Sequence, residues 1–321
     1  MTATISRRDV LVGAGVAALM GACRGRRGDV LRVGFMTNTT HAPMIAGIAS
    51  GRIERALGIR VEARSFRAGP RVVEALVGDA IDVGTSGPAP VVYTHARHGT
   101  GALRVIGGCA SGGASLVVGS ASGIRGAQDL RGKTLATPQI GSTQDISLRK
   151  YLHASGYSPA ERGGDVTVHA LDTATILAEV QRRALDGAWL PEPWATRVVL
   201  EAGAVRLLDE RDLWEDRTFP TAMLVSRGDF AREQPALAAR LAEALGAEVD
   251  RARALPAETR AVVVEELGRL LGKRLPAALV EASWPFVDYT RDPLPRALDA
   301  IAADAYALGL APRTTCKTLF S

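Results

Sequence analysis

The sequence predicts an α/β protein of two lobes similar in plan, with parallel-dominated sheets, helices on both faces and two strands crossing between the lobes. Three observations predict it. Short apolar, β-branched runs alternate with segments of helical length, as in parallel α/β architecture. The order strand, loop, helix begins again after Ser115 to Val118. Short patterns also recur roughly 100 positions apart. Val33-Gly34-Phe35-Met36-Thr37 matches Leu135-Ala136-Thr137, each before a polar helix start, and Ala80-Ile81-Asp82-Val83-Gly84 matches Ala184-Leu185-Asp186-Gly187-Ala188.

In order along the chain, Leu31 to Met36 reads as a strand, Asn38 to His41 as a polar turn and Pro43 to Ala49 as a helix. Ile59 to Ser65 alternates as a second strand, and Gly69-Pro70 opens a helix through Val77, with proline where a helix start tolerates it. Ile81 to Thr85 is a short buried strand, followed by Ser86-Gly87-Pro88 and a helix through Ala96, then a strand from Leu103 to Cys109. The second lobe repeats the order: strand Thr134 to Thr137, helix Thr143 to Ser155, strand Val166 to Ala170, helix Ala174 to Arg183 and strand Gly187 to Leu190. Ser115 to Val118 carries the chain out of the first lobe, and Thr221 to Ser226 carries it back. The predicted organisation is therefore residues 30–115 and 221–321 for the first lobe and 116–220 for the second. Helices over Pro235 to Ala254, Pro256 to Leu271 and Leu294 to Leu308 are expected to pack on the outside of the first lobe.

The stretch from Lys133 to Lys150 carries the most chemistry. A buried strand ends at Pro138, Gly141 breaks the pattern, and Ser142 or Thr143 caps a helix with Asp145 in its first turn. Such a junction leaves backbone N–H groups unpaired at the positive end of a helix dipole, which makes it an anion seat or simply a well-capped loop.

The N-terminus precedes the fold. Ser6-Arg7-Arg8 leads an uncharged run from Val10 to Ala22, too short to span a bilayer and suited to an export signal over residues 1–22. The twin arginine resembles a Tat signal, with Val10 in place of the usual aromatic. Leu19-Met20-Gly21-Ala22-Cys23 resembles a lipobox, which makes Cys23 the expected lipidated residue and 23–29 a polar tether. No later apolar run approaches membrane-spanning length. Loss of the signal removes Arg7, Arg8 and Asp9 and takes the formal charge from +5 to +4. Arginines and acids are interleaved, and nothing forms the basic, aromatic stripe of a nucleic-acid binder. Cys109 and Cys316 read as idle buried thiols, and no Cys/His spacing suggests a metal site.

Six segments then carry a resemblance to the solute-binding proteins of ABC importers, in the aliphatic sulfonate, taurine and nitrate group. They are Phe66-Arg67-Ala68-Gly69-Pro70, Asp82 to Gly87, Ser111 to Val118, Asp129-Leu130-Arg131-Gly132-Lys133-Thr134, Ala136 to Asp145 and Asp186 to Ala195. Asp-Leu-Arg-Gly-Lys and Glu192-Pro193-Trp194-Ala195 are the most specific of them. The resemblance implies the periplasmic binding protein type 2 fold, with the ligand held between the lobes and loops at strand C-terminal ends facing it. It implies ligand contact by Thr39, Thr40 and His41 on the first loop, Ser86 and Gly87 on the third-strand loop, and Ser111 and Gly113 before the crossing. From the second lobe it implies Gln139, Ser142, Thr143 and Gln144, with Glu192 and Trp194 after the last matched strand.

Asp145 and Glu192 fit an anion site only if turned away or paired, Glu192 with an arginine such as Arg197 or with a ligand amine as in taurine. No Lys or Arg stands in the loops nearest the expected seat. The implied function is capture of a small organic anion, an alkanesulfonate or taurine, outside the cytoplasmic membrane by a monomer. Delivery is to a permease and its ATPase, with membrane contact through a lipid only. No cofactor, metal or nucleic acid is expected. Alternatives are a receptor for a pyrimidine or thiamine precursor, which needs aromatic stacking, or for nitrate or bicarbonate. A desulfinase-like enzyme on the same fold is disfavoured because Asn38-Thr39-Thr40-His41 holds no cysteine.

Overall fold

Eleven strands in two sheets organise residues 30–99, 101–312 and 315–320, the residues that the computed structural model describes. The export signal, Cys23 and the tether lie outside them. The first sheet has the order β11-β4-β10-β3-β1-β2, from β1 (Val30–Met36), β2 (Arg60–Phe66), β3 (Val83–Ser86), β4 (Leu103–Gly112), β10 (Pro220–Arg227) and β11 (Val287–Tyr289). The second has the order β7-β6-β8-β5-β9, from β5 (Ala114–Val118), β6 (Thr134–Thr137), β7 (Thr167–Ala170), β8 (Gly187–Pro191) and β9 (Val205–Asp209). Each sheet is parallel in one half, β2-β1-β3 and β7-β6-β8, and antiparallel in the other. The expected parallel dominance is thus diluted for a topological reason. β5 enters the second sheet and β10 re-enters the first without a helical crossover, so each pairs against its neighbours.

The recurrence of Asp82 and Asp186 has a structural cause. The Asp82 carboxylate accepts from the backbone N–H of Arg32 at 3.0 Å while its own N–H donates to the Arg32 carbonyl. Asp186 repeats the pair on Thr134, with its carboxylate accepting that N–H at 2.8 Å. In each sheet an aspartate just before β3 or β8 pins the start of the neighbouring parallel strand, closing backbone groups left open where two loops meet.

The helices of the first βα units are α1 (Ala42–Ala49), α2 (Arg52–Leu57), α3 (Gly69–Val77) and α4 (Pro88–His98). The second lobe carries α5 (Thr143–Ala154), α6 (Thr173–Gln181) and α7 (Trp194–Ala202), and the C-terminal region carries α8 (Gly228–Glu233), α9 (Pro235–Ala254), α10 (Pro256–Leu271), α11 (Ala277–Ser283) and α12 (Pro295–Ala307). α9 and α10 pack on α1, and α12 packs on α4, where the sequence places them. α11 departs from that expectation: it packs on both α10 and α7, so the C-terminal arm reaches the second lobe. Just after it, Phe286 lies 3.6 Å under the guanidinium of Arg206 from β9.

One apolar cluster fills the space between β1, α1, α9 and α10, around Phe35, Ile45 and Leu245. Another runs from Leu76 and Val91 in the first lobe through Phe219 to Leu135, Leu148 and Trp189 in the second. The lobes therefore share buried surface as well as two crossings. Among the described residues no helix is long and apolar enough to cross a membrane, and no cluster of His, Cys, Asp or Glu could hold a metal ion.

Candidate functional site

Because parallel strands feed their helices from one edge, the starts of α3, α4, α5, α6 and α7 converge between the sheets, and a cavity of about 550 Å3 lies there. Its wall takes Ala68 and Gly69 from α3, Gly87 before α4, Ser142 and Thr143 at α5, Thr173 at α6 and Trp194 at α7. Asn38 caps the first loop by accepting from the Thr40 N–H at 3.1 Å and the Thr40 hydroxyl at 2.7 Å, which holds both residues at the wall.

Ser142 is the N-cap of α5 and its Oγ accepts from the Asp145 N–H at 3.2 Å. The N–H groups of Thr143 and Gln144, in the first turn, have no carbonyl partner within the helix by geometry. Thr143 Oγ1 reaches across the cleft and accepts from the Ala89 N–H at 3.4 Å, which brings the lobes into contact at the cavity. Both hydroxyls act as acceptors toward the backbone and keep a proton to donate. The absence of a side chain at Gly87 is needed for this approach, because a Cβ there would overlap Thr143 Oγ1.

Of the residues expected at the site, Thr40, Gly87, Gln139, Ser142, Thr143, Gln144 and Trp194 line the cavity. Six others do not. His41 is fully buried behind the first loop, where Nδ1 meets Thr85 Oγ1 at 2.7 Å, and burial pushes its imidazole down to about 3, so it is neutral. Thr39 is buried with its hydroxyl turned inward. Ser86 faces the Gly69 carbonyl at 3.4 Å, and Ser111 accepts from the Phe219 N–H at 3.1 Å, so both brace backbone. Gly113 adopts a φ of 72° at the crossing against Thr40 and Val287, where a side chain has no room.

Glu192 is buried and pairs with Arg206, not Arg197, at 2.6 Å, and it accepts from the Thr196 N–H at 3.1 Å. Burial pushes its carboxyl above the usual range, against the pull of Arg206 and Thr196. Arg197 pairs with Glu201 at 2.8 Å and lies over the Trp194 ring at 5.0 Å. Asp145 is turned off the cavity, accepting from the Gly141 N–H at 3.0 Å and pairing with Arg149 at 3.1 Å. Neither acid opposes an anion in the cleft.

Three cations that the loop reading passed over also line the cavity: Arg67, Arg71 and Lys273. Arg67 and Arg71 flank the conspicuous Ala68-Gly69-Pro70 turn, whereas Lys273 follows α10 and carries no local signal of a site. Asp172 is the acidic residue on the wall, where it caps α6 by accepting from the Ala174 N–H at 3.0 Å.

Behind α5 lies a buried acid unused by the cavity. Glu210 accepts from Trp189 Nε1 at 2.8 Å and from the Ser147 hydroxyl, and burial raises its carboxyl to about 8. Its folded pKa exceeds its unfolded one, so it contributes stability below about 4.5 that is lost as pH rises toward about 8. His41 has the opposite sense, losing stability as pH falls from 6.5 toward about 3, so the two nearly cancel between 4.5 and 6.5. The unfolding free energy of the wild type, read from urea titrations, is expected to fall from pH 6.5 to 8 with a slope approaching about 1.4 kcal/mol per unit. Glu210→Gln should flatten that limb, and an unchanged slope would remove Glu210 as its source.

The model of the NMT1-like family matches residues 27–268. A binding protein of Brucella abortus (strain 2308) is 25% identical over 207 residues, 64% of this chain and 61% of that protein. The taurine-binding periplasmic protein of Escherichia coli K12 is 28% identical over 198 residues, 61% of this chain and 59% of the relative. The aligned part thus spans about three-fifths of these relatives. The alkanesulfonate-binding protein SsuA of Xanthomonas axonopodis pv. citri, solved with MOPS, superposes at a TM-score of 0.74 and 23% identity, covering 91% of this chain and 97% of that one. The periplasmic nitrate-binding protein NrtA of Synechocystis PCC 6803 gives 0.75 at 18% identity, covering 91% and 84%. These structures share the two-lobe fold of periplasmic binding proteins, and these relatives are named as binding proteins, not enzymes. With the family model matching most of its length, the chain belongs to the NMT1-like family.

Proposed function

We propose that this protein is the extracytoplasmic solute-binding component of an ABC importer and that it captures an organic anion, an alkanesulfonate or a taurine-like sulfonate, in the cavity between its sheets. The observation that carries the reading is the convergence of five helix starts on one cavity, with hydroxyl donors at Ser142 and Thr143 and an excess of cations over acids on the wall. Helix starts and hydroxyls suit a singly charged, many-oxygened head group, because they stabilise charge without a full countercharge at each oxygen. The names of the sulfonate-, taurine- and nitrate-binding relatives support the same class.

A cavity of about 550 Å3 has room for an anion with an organic body, more than nitrate or bicarbonate fills. A pyrimidine receptor needs rings on both faces of its ligand. Trp194 is the aromatic side chain lining the cavity among the described residues, and Arg197 lies over its ring, while Trp189 is buried in the core. Nucleophilic catalysis by Cys109 finds no support either. That thiol is buried beside the Thr40 carbonyl, and burial pushes it up to about 12, far from a thiolate at neutral pH. In this reading the signal over 1–22 exports the chain, Cys23 carries the lipid anchor, and closure of a monomer over its ligand presents both lobes to a permease.

The test is titration calorimetry on the body from Asp29, refolded to remove bound solute, against hexanesulfonate, taurine, nitrate, bicarbonate and a thiamine pyrimidine. One-to-one binding of a sulfonate that is recovered unchanged is expected. Binding of the pyrimidine alone, or turnover of the sulfonate, would overturn the reading.

A further inference from the structure

We propose that Lys273 is the countercharge of the bound anion and sets the charge selectivity of the cleft, a role that rests on the anion-binding reading above. The three cations on the wall differ in their partners. Arg71 pairs with Glu74 at 2.8 Å on the same helix, and Arg67 stands 3.9 Å from Asp172 across the cleft, both pairs exposed. Lys273 has no acidic group within 4 Å among the described residues. Once the paired charges are set aside, the wall keeps one positive charge, which complements a monoanion.

The position of Lys273 also couples charge to closure. α10 is capped by Gly272, whose φ of 66° turns the chain, and the Lys273 N–H donates to the Gly268 carbonyl at 3.1 Å, so the backbone carrying the ammonium is held. A few residues later α11 packs on α7 of the second lobe. Lys273 therefore stands on the segment that bridges the lobes outside the two crossing strands, and its ammonium meets the ligand from a direction that no strand-end loop supplies. An exposed lysine on a flexible stem adjusts to ligands of different length better than a fixed guanidinium fork. A single charge at the mouth also raises the association rate of anions in a salt-dependent way.

The experiment is calorimetry and stopped-flow binding of hexanesulfonate to the wild type, Lys273→Gln, Lys273→Glu and Lys273→Arg, at low salt and at ~0.5 M salt. Lys273→Gln is expected to weaken binding about tenfold at low salt, Lys273→Glu about a hundredfold, and Lys273→Arg less than about threefold. The differences should shrink at high salt, and thermal unfolding should not move, since the side chain is exposed. Hexanesulfonate affinity unchanged in Lys273→Gln and Lys273→Glu, with the wild type binding it, would overturn the role of Lys273 alone. Failure of the wild type to bind any sulfonate would overturn the anion-binding reading and this inference together.

Discussion

Arg206→Met should lower the unfolding free energy by about 3 kcal/mol, one of the two largest effects expected here. The Glu192 carboxylate is buried, and Arg206 supplies its countercharge at 2.6 Å while also bonding the Thr196 hydroxyl at 3.0 Å and the Ser115 hydroxyl. Methionine still packs on the Phe286 ring but gives up the guanidinium over it, and it leaves the buried acid with the Thr196 N–H but without a countercharge. The ordinary cost of removing one member of a buried pair is about 3–5 kcal/mol, and protonation of Glu192 relieves part of it. Adding Glu192→Gln should recover more than half of the loss. Urea denaturation of the three variants checks this, and additivity of the two single changes would show that the pair is not coupled.

Gly87→Val should weaken ligand binding roughly tenfold to a hundredfold, with a modest fall in melting temperature from the added bulk. Gly87 has φ −71° and ψ 160°, which valine accepts, so the effect does not come from strain in its own backbone. It comes from the other lobe. A Cβ at 87 overlaps Thr143 Oγ1 and stands 3.4 Å from both Thr143 Cβ and the Thr221 carbonyl. The overlap is relieved either by turning Thr143 away, which loses its bond from Ala89, or by parting the lobes, and both remove contacts that closure makes. An overpacking energy of about 1–3 kcal/mol corresponds to that range of affinity. Small-angle scattering with saturating hexanesulfonate should show a larger radius of gyration for Gly87→Val than for the wild type. Equal radii and equal affinity would mean that the lobes do not need to meet at Gly87.

These expectations depend on features of unequal legibility in the sequence. The segments Thr134–Thr137, Pro235–Ala254 and Pro256–Leu271 are bounded in the structure where proline, glycine and apolar spacing bound them in the sequence. β9 goes unread because its residues are exposed or only half buried, so apolar alternation is weak. α11 and β11 are too short to set up a period. At the site, loop position tells which residues stand near the cleft but not which way each one faces. Thr40, Ser142 and Thr143 turn to the cavity, whereas His41, one residue on from Thr40, turns inward to Thr85. Glu192 was ambiguous for the same reason, since its partner Arg206 comes from a strand with little pattern of its own. Lys273 was illegible because only the packing of the C-terminal arm against both lobes brings it to the cavity.

The central claim is that an organic anion sits against the start of α5. The most direct test is titration of hexanesulfonate into the wild type and into a variant carrying Ser142→Ala and Thr143→Ala. On this account each hydroxyl donates a charge-assisted bond worth about 1.5–3 kcal/mol, so the double variant should bind at least about a hundredfold more weakly, and loss of the α5 N-cap should lower its melting temperature by a few degrees without preventing folding. Unchanged affinity in that variant would contradict the account, and the anion would have to be held elsewhere.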